Sequence, residues 1–331
     1  MLEAISQANK SIYLEMYIFQ DDMKKFNFFV ALKKKAKEGI KIKLILDSFG
    51  SIDLSRDDIK ELRESGIEIL FTSYLLHRAH RKVLIVDESV AFLGGVNLHQ
   101  SARLWNDLVV KIQGSLVSSI IRSFVKSYID AGGKDLSIIN LIKNKRVIIW
   151  TNITSWIIDH SPVKNLYNLK RLYKNHIDNA QNHIILVAPY FMPKYWLQVS
   201  IHQALLRGVS IEILVPRKTD HFIIDRVNYF YINKLTLLGV KFYLESKMNH
   251  AKVMIIDADE GLVGSNNLDF LSFDLNSETG VFFKDKEVVT KLKEITENWK
   301  KDSVLFSNTT YKPKWFDHIL SSLIRLLSKD I

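Results

Sequence analysis

Two kinds of apolar run alternate along the chain. Short blocks that are apolar on every residue, at 83–86 and 253–256, predict strands buried on both faces, and 40–47, 67–71 and 209–215 read as further strands. Between them lie longer stretches with apolar residues at helical spacing, over 26–38, 55–66, 116–129, 166–180 and 223–238. Gly39, Gly66, Gly208 and Gly239 close four of the predicted helices, the usual place for a residue that tolerates a left-handed backbone. A short amphipathic helix over 2–10 leads into a strand over 11–19, and 90–93 adds another strand. Further strands are predicted over 146–150, 183–187 and 240–244, and a helix runs into Arg207.

The order of elements repeats. EGIKIKLILD (38–47) matches RGVSIEILVP (207–216), so a whole domain is duplicated rather than a short motif. Alternating strands and helices make each half an α/β sandwich. The expected domains are 1–140 and 141–331, two tandem α/β sandwiches packed as a pseudo-dimer around one site. The halves differ at their starts: the second has the strand 146–150 and the helix 166–180 where the first has only ten residues. Either the first lobe is trimmed or Met1 is not the true start.

The duplication carries the candidate chemistry. HRKVLIVDESVAFLGGVN (80–97) recurs as HAKVMIIDADEGLVGSNN (250–267). His80, Lys82, Asp87, Gly94 and Asn97 each reappear 170 positions later, as His250, Lys252, Asp257, Gly264 and Asn267. Residues i and i+2 of a strand share a side, so each His projects with its Lys. The Gly-Gly and Gly-Ser turns are expected to bring backbone N–H groups close to an anion, and each Asn adds a side-chain donor. Two imidazoles and two ammoniums suit a phosphodiester. One neutral imidazole attacks phosphorus, while the other, protonated, donates to the leaving alkoxide. The Lys and Asn side chains stabilise the charge on the non-bridging oxygens. Each imidazole also needs a partner to hold its tautomer. Asp107 and Glu278, 27 and 28 residues after the two histidines, are the candidates. His77 lacks a Lys at i+2, and His99 and His221 have no counterpart at the repeat offset, so all three read as non-catalytic.

Composition narrows the partners. The 331 residues contain no cysteine, which excludes disulfides, thiolate metal sites and Cys nucleophiles. No carboxylate cluster suggests a divalent metal, and no cofactor is expected. A net charge of +10 points to an anionic partner, either nucleic acid or an anionic membrane surface. No transmembrane run and no secretory signal are expected. The lysine-rich run 33–43 reads as a solvated helix face. The stretch 315–327 has a broad apolar stripe, which either packs on the second lobe or lies in a membrane interface.

HxKxxxxD followed by a Gly-Gly or Gly-Ser turn and an Asn, present twice, resembles the phospholipase D superfamily. SIYLEMYIF near the start, the first motif itself and APYFMP (188–193) make the chain similar to bacterial cardiolipin synthases, from about Ser11 to Asp274. The resemblance implies that Asp87 and Asp257 lie away from the phosphate and are structural. It also implies that His80 is the nucleophile and His250 the acid. By the same resemblance the protein is a phosphatidyltransferase that joins two molecules of phosphatidylglycerol through a phosphohistidine, cytoplasmic and peripheral to the inner membrane. No obligate protein partner is inferred. A hydrolase or nuclease using the same His–Lys pairs is the alternative, and nucleic acid is the less favoured substrate.

Overall fold

The computed structural model describes residues 1–20, 27–72, 77–142 and 154–308, with Trp315, Asp317, Ile319, Leu320 and Ser322 beyond them. The strand expected over 146–150 lies outside the described residues.

The first sheet contains β1 (Ser11–Met16), β2 (Lys41–Asp47), β3 (Glu68–Thr72), β4 (Lys82–Val86), β5 (Val90–Gly94) and β6 (Val109–Gln113), in the order β3-β2-β1-β4-β5-β6. The first three run parallel, and β4 to β6 are antiparallel to their neighbours. The second sheet contains β7 (Ser155–His160), β8 (His183–Val187), β9 (Ser210–Pro216), β10 (Lys241–Glu245), β11 (Val253–Ile256), β12 (Glu260–Gly264), β13 (Glu278–Phe283) and β14 (Ser303–Leu305). Its order is β14-β10-β9-β8-β11-β12-β13-β7, so its inner six strands repeat the first sheet strand for strand.

Period-two alternation assigns each strand residue to one of two layers. In the first sheet Ile12, Leu14, Leu44, Leu46 and Leu84 face the helices of their own half. Tyr13, Ile45, Val83 and Ile85 face the other way, into a layer shared with Ile185, Val187, Val253 and Ile255. The sheets therefore pack on each other through a common apolar layer. At about 1.5–3 kcal/mol per fully buried large side chain, this layer is what fixes one half against the other.

Element boundaries follow local chemistry. Asn27 and Ser55 cap the helices Phe28–Lys37 and Arg56–Glu64 through their side chains, and Gly39 and Gly66 take φ of +85° and +90° just beyond the two helix ends. The strand expected over 11–19 ends at Met16, with Phe19 making an isolated bridge to Leu98. The opening helix stops at Ser6 rather than at residue 10. At the other end of the chain, buried Asp317 accepts from Arg226 Nε at 2.9 Å, and Leu320 packs against the core of the second half. Of the described residues of the C-terminal stripe, Leu320 packs on the second lobe, while Trp315 and Ile319 face outward.

Candidate active site

β4 lies antiparallel to β1 with Lys82 opposite Met16, which puts the start of the motif at the C-terminal end of the parallel strands. β11 repeats this against β8. Each motif begins by crossing to the other half. His80 N donates to Ser277 O at 2.9 Å and Ser277 N to Arg78 O at 2.8 Å. The second motif does the same, His250 N to Asn106 O at 2.7 Å and Asn106 N to Met248 O at 2.8 Å.

The carboxylates cross as well. His80 Nδ1 lies 3.0 Å from Glu278 Oε1, and His250 Nδ1 lies 2.9 Å from Asp107 Oδ2. Each imidazole is therefore oriented by the opposite half. With Nδ1 engaged, Nε2 is left as the reactive nitrogen, and it has no protein partner among the described residues. Glu278 also accepts from Ser272 Oγ at 2.9 Å and from Ser265 Oγ, so its geometry is fixed from three sides. Lys82 Nζ donates to His80 O at 2.9 Å and Lys252 Nζ to His250 O at 2.5 Å, holding both ammoniums against their own motifs.

Burial sets the protonation states. It pushes both imidazoles below their ordinary value, His250 to about 4, and the neighbouring ammoniums add to that while the carboxylates oppose it. Burial likewise lowers Lys82 to about 7 and Lys252 to about 8. For Asp107 and Glu278 burial alone would raise the pKa, but the paired histidines and nearby lysines hold both below the usual carboxylate range. Both imidazoles are thus neutral in the empty site, and both carboxylates are ionised. Among the described residues no group of three or more His, Cys, Asp or Glu could hold a metal ion.

Asn97 and Asn267 are buried, and the side-chain oxygen of each is without a partner. An unsatisfied buried amide costs stability unless a ligand completes it. The turn before each Asn does not act as expected. Gly95 N donates to Leu108 O at 3.0 Å, Ser265 N to Thr279 O at 2.9 Å and Gly264 N to Lys252 O at 3.2 Å, so these N–H groups are unavailable to an anion. The reason is that pairing continues through the turn, Gly95 and Ser265 with the chain at β6 and β13 and Gly264 with the residue before β11, and neither β6 nor β13 was visible as a strand in the sequence.

The small residues serve packing instead. A Cβ on Gly94 would fall 2.1 Å from Leu108 O, and one on Gly95 would fall 2.3 Å from Asp107 Oδ1 and 3.0 Å from His250 O. The second half has room for Ser265 because its carboxylate is a Glu on β13, one methylene longer, whose oxygen accepts from that serine. Gly95→Ala should displace Asp107 from His250 and lower turnover by about 10–100-fold, the usual effect of disturbing an outer-shell partner. Steady-state kinetics beside a melting curve check this; unchanged kcat would show that Asp107 tolerates the displacement.

Asp87 and Asp257 turn away from the histidines. Asp87 accepts from the backbone N–H of Asn9 (2.9 Å), Lys10 (2.7 Å) and Ser11 (3.0 Å), and Asp257 from Gln181 (2.9 Å), Asn182 (2.7 Å) and His183 (2.9 Å). Each carboxylate ties the β4–β5 or β11–β12 hairpin to the chain entering β1 or β8. Asp87→Ala should cost about 2–3 kcal/mol in urea unfolding, in line with hydrogen bonds to a charged group, while the folded fraction keeps its activity. Loss of activity at full stability would contradict this.

Of the other histidines, His77 Nδ1 meets Leu275 O at 2.9 Å, His99 packs on Trp105, and His221 is exposed. Three aromatic residues at the site were not singled out in the sequence. Tyr17 stands edge-on to His80 at 4.7 Å between centroids, and Trp105 and Tyr190 lie 5.5 and 6.3 Å from His250. Tyr17 and Tyr190 both lie in the segment just after the first parallel strand of their half, one and three residues past its end.

A family model described as "Cardiolipin synthase, PLD-like domain" matches residues 1–128 and 173–299. The chain belongs to this phospholipase D-like family. Each matched block holds one motif and one six-stranded set, so the fold is two tandem phospholipase D-like α/β sandwiches. Relatives of this family member include the major cardiolipin synthase ClsA of Bacillus subtilis strain 168, 30% identical over 99% of this chain and 72% of the relative. A cardiolipin synthase of Clostridium perfringens strain ATCC 13124 is 31% identical over 99% of this chain and 73% of the relative. Among solved structures, the phosphatidylserine synthase of Haemophilus influenzae Rd KW20 superposes with a TM-score of 0.77 at 14% identity, covering 100% of this chain and 92% of that one.

Proposed function

We propose that the protein is a phosphatidyltransferase of the cardiolipin synthase type, acting on phosphatidylglycerol at the cytoplasmic face of a membrane. The carrying observation is the pair of imidazoles, each fixed at Nδ1 by a carboxylate of the opposite half, beside two buried ammoniums. Charge balance explains how two like residues take different roles. In the empty site burial keeps both imidazoles neutral. A bound phosphodiester adds one negative charge and favours uptake of one proton, leaving one imidazole neutral and one protonated.

In the first step His80 Nε2 attacks phosphorus and the bond from phosphorus to the glycerol oxygen breaks. His250 Nε2 gives its proton to that oxygen, and glycerol leaves. In the second step His250 takes the proton from a hydroxyl of another phosphatidylglycerol. That oxygen attacks phosphorus, the P–N bond breaks, and cardiolipin is released. Lys82 and Lys252 hold the non-bridging oxygens, while Asn97 and Asn267 each offer a donor and an acceptor to phosphate and hydroxyl.

Among the described residues no helix is long and apolar enough to cross a membrane. Product analysis after incubation with phosphatidylglycerol vesicles tests the reading, and cardiolipin with released glycerol is expected. Phosphatidic acid alone would mean water is the acceptor. DNA cleavage at physiological salt without lipid products would make the protein a nuclease.

A further inference from the structure

We infer that the rim of the site mouth on the His250 side is a docking surface for an anionic phospholipid bilayer. This rests on the phosphatidyltransferase reading and adds how the site meets its substrate. The loops after β5 and β9 both reach the edge of the sheets where the histidines lie. Leu104 precedes Trp105, whose ring is 5.5 Å from that of His250. Phe222 follows His221, whose ring is 6.2 Å from that of Tyr190, itself 6.3 Å from His250. Leu104, Phe222 and Ile223 are among the most exposed large apolar residues of the protein, at 81%, 75% and 63%. Single exposed apolar side chains are ordinary, but a group of them around one opening marks an interaction site.

A separate element adds to the same face. Arg226, one turn after Phe222 and Ile223 on the helix Phe222–Thr236, holds Asp317 and so seats the C-terminal segment there. Trp315 and Ile319, two residues to either side of Asp317, are both exposed. Tryptophan suits the boundary between headgroups and acyl chains.

The charges in these loops select a lipid surface of one sign. Arg103 beside Leu104, and Arg217 and Lys218 before Phe222, are exposed. The acid between them, Asp220, accepts from Tyr190 Oη at 2.6 Å. Apolar side chains with basic residues beside them fit a negatively charged bilayer, with the apolar groups below the phosphates and the cations among them. The mouth then opens against the membrane, and a headgroup reaches the histidines while its acyl chains stay in lipid.

The test is co-sedimentation with phosphatidylglycerol-containing vesicles, using the triple variant Leu104→Ser/Phe222→Ser/Ile223→Ser. The comparison variant is Leu206→Ser/Leu237→Ser, which alters equally exposed residues at the far ends of the two helices that lead away from the mouth. The rim variant should partition at least tenfold less onto vesicles, with its melting temperature and its turnover of monomeric short-chain phosphatidylglycerol within twofold of the parent. The comparison variant should match the parent. Equal partitioning of the rim variant, or equal loss in the comparison variant, would overturn the assignment. If the parent makes no cardiolipin yet the rim variant alone leaves the vesicles, the proposed reaction fails and the docking surface stands. If parent and rim variant make cardiolipin from vesicles equally well, the reverse holds.

Discussion

Replacing either His80 or His250 with Asn should lower cardiolipin formation by about 10³-fold or more, since each variant loses a group that forms or protonates a bond to phosphorus. The roles differ, so neither histidine can cover for the other. The fold should survive, because an Asn amide can still donate to Glu278 or Asp107 and neither carboxylate is left unpaired in the interior. Melting curves should therefore stay close to the parent. Mass spectrometry of enzyme quenched during turnover should find the phosphatidyl adduct on the peptide containing His80. An adduct on His250 would reverse the roles, and normal turnover by either variant would end the two-histidine mechanism.

Glu278→Gln and Asp107→Asn should each lower turnover by roughly 10³–10⁴-fold, as the loss of the tautomer-holding carboxylate does in a serine–histidine–aspartate triad. An amide N–H facing Nδ1 forces the proton onto Nε2, the nitrogen that must react. The effect should appear in the half opposite the substitution, since Glu278 holds His80 and Asp107 holds His250. A phosphodiester with a p-nitrophenol leaving group separates the two, because that group departs without an acid. On it Asp107→Asn should still release the first equivalent of p-nitrophenol in a burst, whereas Glu278→Gln should not. A full burst from Glu278→Gln would show that the crossed pair does not govern attack.

Local pattern was enough to place most of the architecture. Runs such as 83–86 and 253–256 are apolar on both faces and became β4 and β11. The constant offset between the two motifs marked His80 with His250 and Lys82 with Lys252 as equivalent groups, because duplication leaves residue identity in register even where the surrounding text diverges. β6 and β13 were not legible: VVKIQ and ETGVFF are short and mixed, and each is a strand only because a hairpin partner continues beside it.

Without those two strands the use of the turns was hidden, since the strands take up the N–H groups of Gly95 and Ser265. Hidden as well was why Gly95 faces an Asp while Ser265 accompanies a Glu. Asp107 and Glu278 stood out by spacing alone, but spacing says nothing about which histidine each serves. That choice depends on the docking of the two halves, a consequence of apolar residues such as Tyr13, Val83, Ile185 and Val253 being buried in one shared layer. Sequence therefore determined which groups the site contains. The packing of one sheet on the other decided how they are paired, because each carboxylate reaches its histidine only across that interface.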